Sequence, residues 1–259
     1  MYKILVKSKH ESHVPLRQQI GMLPFLGVVR LGSVTEVPGA VECNSIQSVK
    51  NSRDKRLMKQ CFDKAGVIHA AWRPDIKTAL EVGFPMVAKH PLGSKGTGVY
   101  LLKNKEAFDK WLANRTHENY IFEKFHDYGS EYRLSCTQDK CFFAVRKVLK
   151  KGETKNTWKK GGDNTYWYGE QNPLFDKPDN WEDVVDQACK AIKAVGLDLG
   201  CVDIKIQKNV DENGKRRKAP KLFVVETNSA GCMWGDKTLN AHLEMIPKIL
   251  KQKYEKLGD

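Results

Sequence analysis

The sequence lacks two features that would have simplified its classification: a long apolar run and cysteines at metal-binding spacing. None of its 259 residues belongs to a stretch near the roughly 18 consecutive apolar residues of a membrane span. The N-terminal segment MYKILVKSKHESH has an apolar run of only three residues. Seven cysteines are present without a CxxC pair, which argues against structural zinc and a disulfide framework. We therefore expect a cytoplasmic protein with no membrane partner.

The sequence also lacks a Walker loop and a dinucleotide-binding fingerprint, although it has a glycine-spaced loop. Residues 85–102, PMVAKHPLGSKGTGVYLL, predict a β-run that ends at Lys89, a loop, and a second β-run. The two standard motifs require a helix after the glycines, so neither fits. Such a loop allows close backbone approach to a phosphate and adds donors, or it is simply a flexible turn. The loop residues concerned are Gly93, Ser94, Lys95, Gly96 and Gly98.

Acidic and amide side chains end two apolar strands near the C-terminal end of the sequence. Asp203 lies on the first strand, and Glu226 and Asn228 lie on the second. Alternate residues of a strand share a face, so Glu226 and Asn228 point the same way, and strand pairing brings Asp203 beside them. Three oxygen ligands with room left for phosphate are typical of a magnesium site. Solvated acids at two edge strands are the alternative.

Basic residues outnumber acidic ones by 44 to 31, giving a net charge of +13. This favours encounter with an anionic partner, but the charge alone does not distinguish nucleotide, nucleic acid, acidic peptide or phosphorylated metabolite from a solvated surface. The segment from Lys147 to Gln171 mixes lysine with aromatic residues, and we expect a long mobile loop there. Stacking of single-stranded bases on its aromatic rings is the alternative.

Several other segments carry candidate binding residues. Ser52 as N-cap and Gly66 as stop predict a helix over about 53–65, with Lys55 in its first turn. The strand Tyr120 to Phe125 ends in a segment that offers backbone groups to an adenine edge, and Glu131 follows as an acceptor for ribose hydroxyls. Arg133 and Arg146 lie on a predicted hairpin as clamps for phosphate oxygens, or as cross-strand charge pairs.

In this order the segments resemble the ATP-grasp superfamily, and most of all its peptide and amino-acid ligases, which include ribosomal-protein-modifying glutamate ligases and D-alanine ligases. The resemblance covers about residues 28–250 and rests on seven motifs in sequence order. They are DK at 54–55, PMVAKHPLGSKGTGV at 85–99, FEKF with EYR at 122–133, AVRK at 144–147, GG at 161–162, GLDLGCVDI at 196–204 and VVETNSAG at 224–231.

The resemblance implies an α+β (α/β) fold in which two α+β subdomains clasp ATP. It divides the chain into a short N-terminal α/β region at 1–51, an N-terminal subdomain with the glycine loop at 52–125, and a C-terminal subdomain with the metal site at 126–259. The first region is shorter than the usual substrate domain. Lys205 on the Asp203 strand, without an arginine just before the aspartate, argues against D-alanine ligase activity itself. Thr227 stands in place of the common valine.

The resemblance also implies roles for individual residues. Lys89 contacts the α- and β-phosphates, Lys55 is the earlier lysine of the site, and the loop from Gly93 to Gly98 closes over the triphosphate. Glu123, Lys124 and Phe125 form the adenine hinge, and Glu131 binds ribose. Arg146 lies near the transferring phosphate, with Lys89 and Arg133 as the other catalytic candidates. Asp203, Glu226 and Asn228 hold magnesium, two ions in the usual case, with Mn²⁺ as an alternative.

The implied reaction is ATP-dependent amide bond formation between a carboxylate and an amine through an acylphosphate, with release of ADP and phosphate. An acidic peptide or nucleic acid is a candidate acceptor. Two alternatives remain open at this point: phosphoryl transfer to a hydroxyl, and non-catalytic nucleic-acid binding through Lys215, Arg216, Arg217 and Lys218. A ligase releases orthophosphate, a kinase leaves the phosphate on its product, and nucleic-acid binding alone weakens steeply with salt and needs no ATP.

Overall fold

The structure is a computed structural model that describes residues 1–94, 96–114, 119–150, 165–231, 233 and 235–258. Its helices are α1 Val14–Gln19, α2 Ile46–Arg53, α3 Lys55–Ala65, α4 Lys105–Ala113, α5 Trp181–Val195 and α6 Asp236–Glu255. Its strands are β1 Tyr2–Lys3, β2 Leu5–Lys7, β3 Met22–Leu23, β4 Gly27–Arg30, β5 Val41–Cys43, β6 Trp72–Arg73, β7 Met86–Lys89, β8 Val99–Leu102, β9 Ile121–Lys124, β10 Ser130–Thr137, β11 Cys141–Leu149, β12 Thr165–Gly169, β13 Leu199–Ile206 and β14 Leu222–Asn228.

The N-terminal strands form a small parallel sheet in the order β2-β4-β5. Its buried strand β4 has all four residues out of solvent, as expected for a parallel strand covered on both faces. The covering residues include Leu16 of α1 and Ile246 and Leu250 of α6. The last helix of the chain therefore completes the core of the first region.

A second sheet has the order β6-β9-β7-β8 and is antiparallel. The hairpin β7-β8 is the glycine-loop hairpin predicted from the sequence, with Lys89 paired to Val99 at the end next to the loop. Asn104 caps α4 by accepting from the Ala107 amide. Phe108 and Trp111 of that helix are buried against the sheet and belong to its core.

The third sheet is antiparallel, with the order β12-β11-β10-β13-β14. One face packs against α5 and α3 in a cluster of buried side chains that includes Met58, Phe62, Val184 and Ile192. The other face carries most of the charged candidate residues. Alternation along the strands therefore separates the core from the candidate site.

The helix predicted over about 53–65 begins at a different residue than expected. Asp54, rather than Ser52, is the N-cap of α3, because its carboxylate accepts from the Arg56 and Leu57 amides. Ser52 belongs to the preceding helix α2, where its hydroxyl donates to the Val49 carbonyl. Gly66 ends α3 in the left-handed conformation at φ 65°, as predicted. Met58 and Phe62 of α3 belong to the buried cluster of the third sheet. The helix predicted to open the 52–125 region therefore packs on that sheet.

Among the described residues, no helix combines the length and apolar character needed to cross a membrane. The six described cysteines are free thiols.

Candidate nucleotide and metal site

The two strands with acidic ends are neighbours in the third sheet. Asp203 of β13 lies directly opposite Glu226 of β14, next to a register shift between Asp203 and Ile204. The Asn228 side-chain amide donates to Glu226 Oε1 at 3.2 Å. The predicted trio therefore converges on one face of the sheet.

Arg133 of β10 pairs with Asp203 across the adjoining strand. Its guanidinium donates to both carboxylate oxygens, with Nε 2.6 Å from Oδ1 and Nη2 2.8 Å from Oδ2. Burial would raise the pKa of Asp203, but the charge and hydrogen bonds of Arg133 outweigh it, so that the pKa is lowered. The strand of Asp203 has no arginine just before the aspartate, and the neighbouring strand β10 supplies Arg133 as its partner instead.

Glu123, at the end of β9, is a buried carboxylate between two lysines. Lys89 Nζ donates to Glu123 Oε2 at 2.9 Å, and Lys59 Nζ lies 3.4 Å from the same oxygen. Burial opposes ionisation, but the two ammonium groups prevail and lower the pKa of Glu123 to about 2. The carboxylate is therefore ionised over the whole physiological range. Lys59 was missed in the sequence, although it lies one helical turn after Lys55.

Lys55 links the glycine loop to the acids of the third sheet. Its ammonium donates to the Gly93 carbonyl, and its backbone amide donates to the Pro91 carbonyl 3.1 Å away. Burial lowers the pKa of Lys55, and the negative charge of Glu226 is the strongest influence that opposes this. Residues from the first and last thirds of the chain therefore share one charged environment.

The glycine loop is folded by its own hydrogen bonds. The Gly93 amide donates to the His90 carbonyl at 3.0 Å, and the Thr97 amide donates to the Ser94 carbonyl at 2.9 Å. Gly98 has φ 72°, and a Cβ there would lie 2.7 Å from the His90 Cβ. A Cβ on Gly93 would lie 2.4 Å from the Thr97 carbonyl oxygen. The tight turn itself thus requires glycine at these two positions. Gly96 is also left-handed, and Lys95 lies outside the described residues.

The predicted hinge after Glu123 is held by hydrogen bonds to two neighbouring segments of the chain. The Lys124 amide donates to the Ala71 carbonyl at 2.8 Å, and the Phe125 amide donates to the Pro85 carbonyl at 3.0 Å. The Lys124 ammonium donates to the Phe84 carbonyl at 2.6 Å. These contacts fix the course of the segment, and they engage the two amides that would otherwise face an adenine edge.

Glu131, the candidate ribose acceptor, lies on the same face as Arg133. It accepts from the Tyr128 hydroxyl at 3.1 Å and from Lys147 Nζ at 3.3 Å. Lys205 lies opposite Glu131 on β13, with its ammonium 4.0 Å from the centre of the Tyr128 ring. Burial lowers the pKa of Lys205 to about 8, although Glu131 opposes the shift. Lys147 and Lys205 therefore extend the basic cluster toward the hinge.

Arg146 is not part of this cluster. Its guanidinium lies on the opposite face of the sheet, where it donates to the Leu174 carbonyl and the Ser130 hydroxyl, each at 2.9 Å. The cause is a register shift between Ser135 and Cys136, which places Lys147 opposite Glu131. A hairpin that continued the Cys136–Cys141 pairing without the shift would have placed Arg146 there, because a shift of one residue exchanges the faces of a strand. The placement favours Lys147, rather than Arg146, as the basic residue of this strand in the site.

The donor set fits magnesium held jointly with phosphate. The described residues contain no group of three histidine, cysteine, aspartate or glutamate side chains able to hold a metal. Asp203, Glu226 and Asn228 offer two carboxylates and an amide oxygen, and Mg²⁺ in nucleotide sites commonly takes only one or two carboxylates plus phosphate oxygens. The pairing of Asp203 with Arg133 requires that the arginine share this carboxylate with an ion.

Comparison with known proteins identifies the architecture. No protein-family model matches the sequence, and no curated protein matches it significantly. Among solved structures, D-alanine–D-alanine ligase from Bacillus anthracis aligns with a TM-score of 0.64 and 16% identity, over 95% of this chain and 86% of that chain. The ATP-grasp ligase PsnB with its minimal precursor aligns with a TM-score of 0.55 and 16% identity, over 82% and 66%. The chain has an ATP-grasp fold.

Biotin carboxylase from Campylobacter jejuni, solved with an ATP analogue, aligns with the same ATP-grasp fold at a TM-score of 0.57 and 14% identity, over 88% of this chain and 54% of that chain. The predicted α+β class is confirmed. The predicted site residues fall into two groups of contacts. Lys55 contacts Gly93 and Lys89 contacts Glu123 around the glycine-loop hairpin, and the third sheet carries Glu131, Arg133, Asp203, Glu226 and Asn228.

Proposed function

We propose that this protein is an ATP-dependent ligase that joins a carboxylate to an amine through an acylphosphate. The ATP-grasp fold supports an ATP-dependent reaction. The observation that carries the proposal is the convergence of Asp203, Glu226 and Asn228 on one face of the third sheet, together with a glycine loop that is held by Lys55. A nucleotide bound there is gripped from both sides.

In the first step an oxygen of the substrate carboxylate attacks the γ-phosphorus, the bond between the β- and γ-phosphates breaks, and ADP leaves. In the second step the amine nitrogen attacks the acyl carbon, phosphate departs with the bonding electron pair, and the amine loses a proton. None of the described residues assigned to this site acts as a nucleophile in this scheme. Catalysis therefore rests on positioning and charge neutralisation, which suits a cluster of lysine and arginine side chains.

The residues divide into three groups along the nucleotide. Lys89 and the glycine loop contact the phosphates, and Glu131 contacts the ribose. The segment after Glu123 borders the adenine without donating its Lys124 and Phe125 amides, which are bonded to the Ala71 and Pro85 carbonyls. Asp203, Glu226 and Asn228 would hold Mg²⁺, which neutralises phosphate charge when bound. Lys147 replaces Arg146 as the strand residue near the transferring phosphate, since it lies on the same face as Arg133 and helps to lower the pKa of Asp203.

An anionic acceptor, either an acidic peptide or a nucleic acid, suits the charge distribution. The net charge is +13, and Lys215 and Lys218 are exposed on the hairpin that joins β13 to β14. Arg216 of that hairpin is instead paired with Asp179 at 2.6 Å. PsnB, an ATP-grasp ligase of similar fold, was solved with a minimal precursor. The free thiols support a reducing compartment, the cytoplasm, as the location.

The experiment is a screen for ADP and orthophosphate release with amino acids, polyamines, acidic peptides and nucleic acid. Hydroxylamine is added in a parallel set, because it captures an acylphosphate as a hydroxamate and requires no knowledge of the natural amine. We expect ADP and orthophosphate in equal amounts and a hydroxamate that depends on the carboxylate. ADP without orthophosphate, with the label of γ-³²P-ATP on a hydroxyl product, would establish the kinase instead.

A further inference from the structure

Lys59 of α3 is a buried cation that takes no part in the proposed nucleotide contacts. Its side chain is fully buried, and its ammonium makes no hydrogen bond to any described residue. The nearest carboxylate oxygen, Glu123 Oε2, is 3.4 Å away, which is an ion-pair distance but a long one. A buried ammonium without hydrogen bonds is costly, so the position requires an explanation.

The partner carboxylate is incompletely satisfied as well. Glu123 Oε1 is buried and makes no hydrogen bond to any described residue, while Oε2 accepts from Lys89 at 2.9 Å. Two unsatisfied buried atoms, Lys59 Nζ and Glu123 Oε1, therefore belong to neighbouring side chains. A small movement that brings them together would satisfy both.

Lys89 and Lys59 differ in their access to the cleft. The Lys89 side chain keeps 14% of its surface exposed, whereas that of Lys59 keeps none. Of these two lysines, Lys89 is therefore the one with access to a bound phosphate. If Lys89 turned away, Lys59 would be the nearest described cation to the buried Glu123 carboxylate.

We propose that Lys59 is a positioning residue that takes over the Glu123 carboxylate when Lys89 turns to the nucleotide phosphates. This exchange rests on the proposed function, because it assumes a nucleotide in the cleft. Without Lys59, Glu123 retains Lys89 as its only counter-ion, and the lysine is held away from the phosphates. Nucleotide affinity then falls although no direct contact has been removed.

The test is the affinity for ADP with Mg²⁺, measured by titration calorimetry on the full chain without any acceptor. Lys59→Met preserves the length of the side chain and removes its charge, and Lys64→Met on the exposed side of α3 is the matched control. We expect about a tenfold weaker affinity in Lys59→Met, equivalent to about 1.4 kcal/mol. We expect no change in Lys64→Met and recovery in Lys59→Arg.

The decisive comparison is between ADP and adenosine on the same variant. We expect Lys59→Met to leave the affinity for adenosine unchanged, since adenosine has no phosphate for Lys89 to contact, while the affinity for ADP falls about tenfold. Lys59→Gln, whose amide can still donate to Glu123 without a charge, serves in the same comparison if Lys59→Met does not fold. An equal loss for ADP and adenosine, or an unchanged affinity of Lys59→Met for ADP, overturns the exchange alone. A wild-type protein that binds no nucleotide refutes the proposed function and the exchange with it.

Discussion

Replacing Lys147 or Arg146 by methionine should separate binding from stability at two adjacent residues. Lys147 lies on the cleft face, where its ammonium is 3.3 Å from Glu131 Oε1. Arg146 lies on the opposite face, where it donates to the Leu174 carbonyl and the Ser130 hydroxyl. We therefore expect Lys147→Met to reduce nucleotide affinity and Arg146→Met to reduce the free energy of unfolding.

The magnitudes follow from the contacts. A hydrogen bond from a charged group contributes about 1.5–3 kcal/mol, so loss of a phosphate contact by Lys147 predicts about a 10- to 150-fold loss of affinity. Its pairing with Glu131 is partly exposed and contributes less than about 1 kcal/mol to stability. Arg146 loses two hydrogen bonds and its ion pair with Asp176 at 3.4 Å. That loss predicts about 1–3 kcal/mol lower stability, at about 2–4 °C in melting temperature for each kcal/mol.

The assay pairs calorimetric titration with ATP, in the presence of Mg²⁺, with thermal unfolding of the same preparations without nucleotide. Wild-type protein and Lys150→Met provide the references, since Lys150 lies beyond the end of β11. A loss of affinity in Arg146→Met with unchanged melting temperature, together with unaffected binding in Lys147→Met, would refute the register argument and restore Arg146 to the site.

Three further outcomes are expected. Gly98→Ala should lower the melting temperature more than Gly39→Ala, because both glycines have positive φ but a Cβ has open space only at Gly39; equal losses in the two unfolding curves would contradict the close approach to His90. Asp203→Asn should abolish ADP formation while far-UV circular dichroism stays unchanged, and near-normal turnover would exclude the metal assignment. Burial lowers the pKa of His242 to about 4, so the unfolded chain takes up a proton first as the pH falls below 6.5; the free energy of unfolding should therefore decrease between about pH 6.5 and 4, with a smaller decrease in His242→Gln by urea titration.

The elements that the sequence predicted well have strong local signals. Helix α3 lies within the predicted range 53–65 and ends at Gly66, as predicted. The hairpin β7-β8 and the pairing of Asp203 with Glu226 likewise follow from two apolar runs joined by polar turns. In each case one short stretch contains both the pattern and its boundaries.

The elements that the sequence did not reveal depend on contacts between distant residues. Helix α2 buries mainly Ser48, Val49 and Ser52, so it has no apolar periodicity to read. Strand β12 lies in the segment expected to be a loop, and it forms by pairing with β11. The expected GG at 161–162 and the aromatic Trp158 lie outside the described residues.

The site shows the same limit. In the sequence Lys59 looks like a surface lysine, because its partner Glu123 lies far along the chain. The face of Arg146 depends on a single register shift, which leaves no mark in the amino-acid order. Residue types can thus be proposed from the sequence, but the choice between adjacent residues requires the strand register.

Helix α6 covers the N-terminal sheet, and this affects the order in which the regions of the chain can fold during synthesis. Strands β2, β4 and β5 emerge first during synthesis, yet Ile246 and Leu250, which shield them, are translated about 200 residues later. Until then the apolar side of the earliest strands is open to water and to chaperones. Assembly of the first region therefore waits for the last helix.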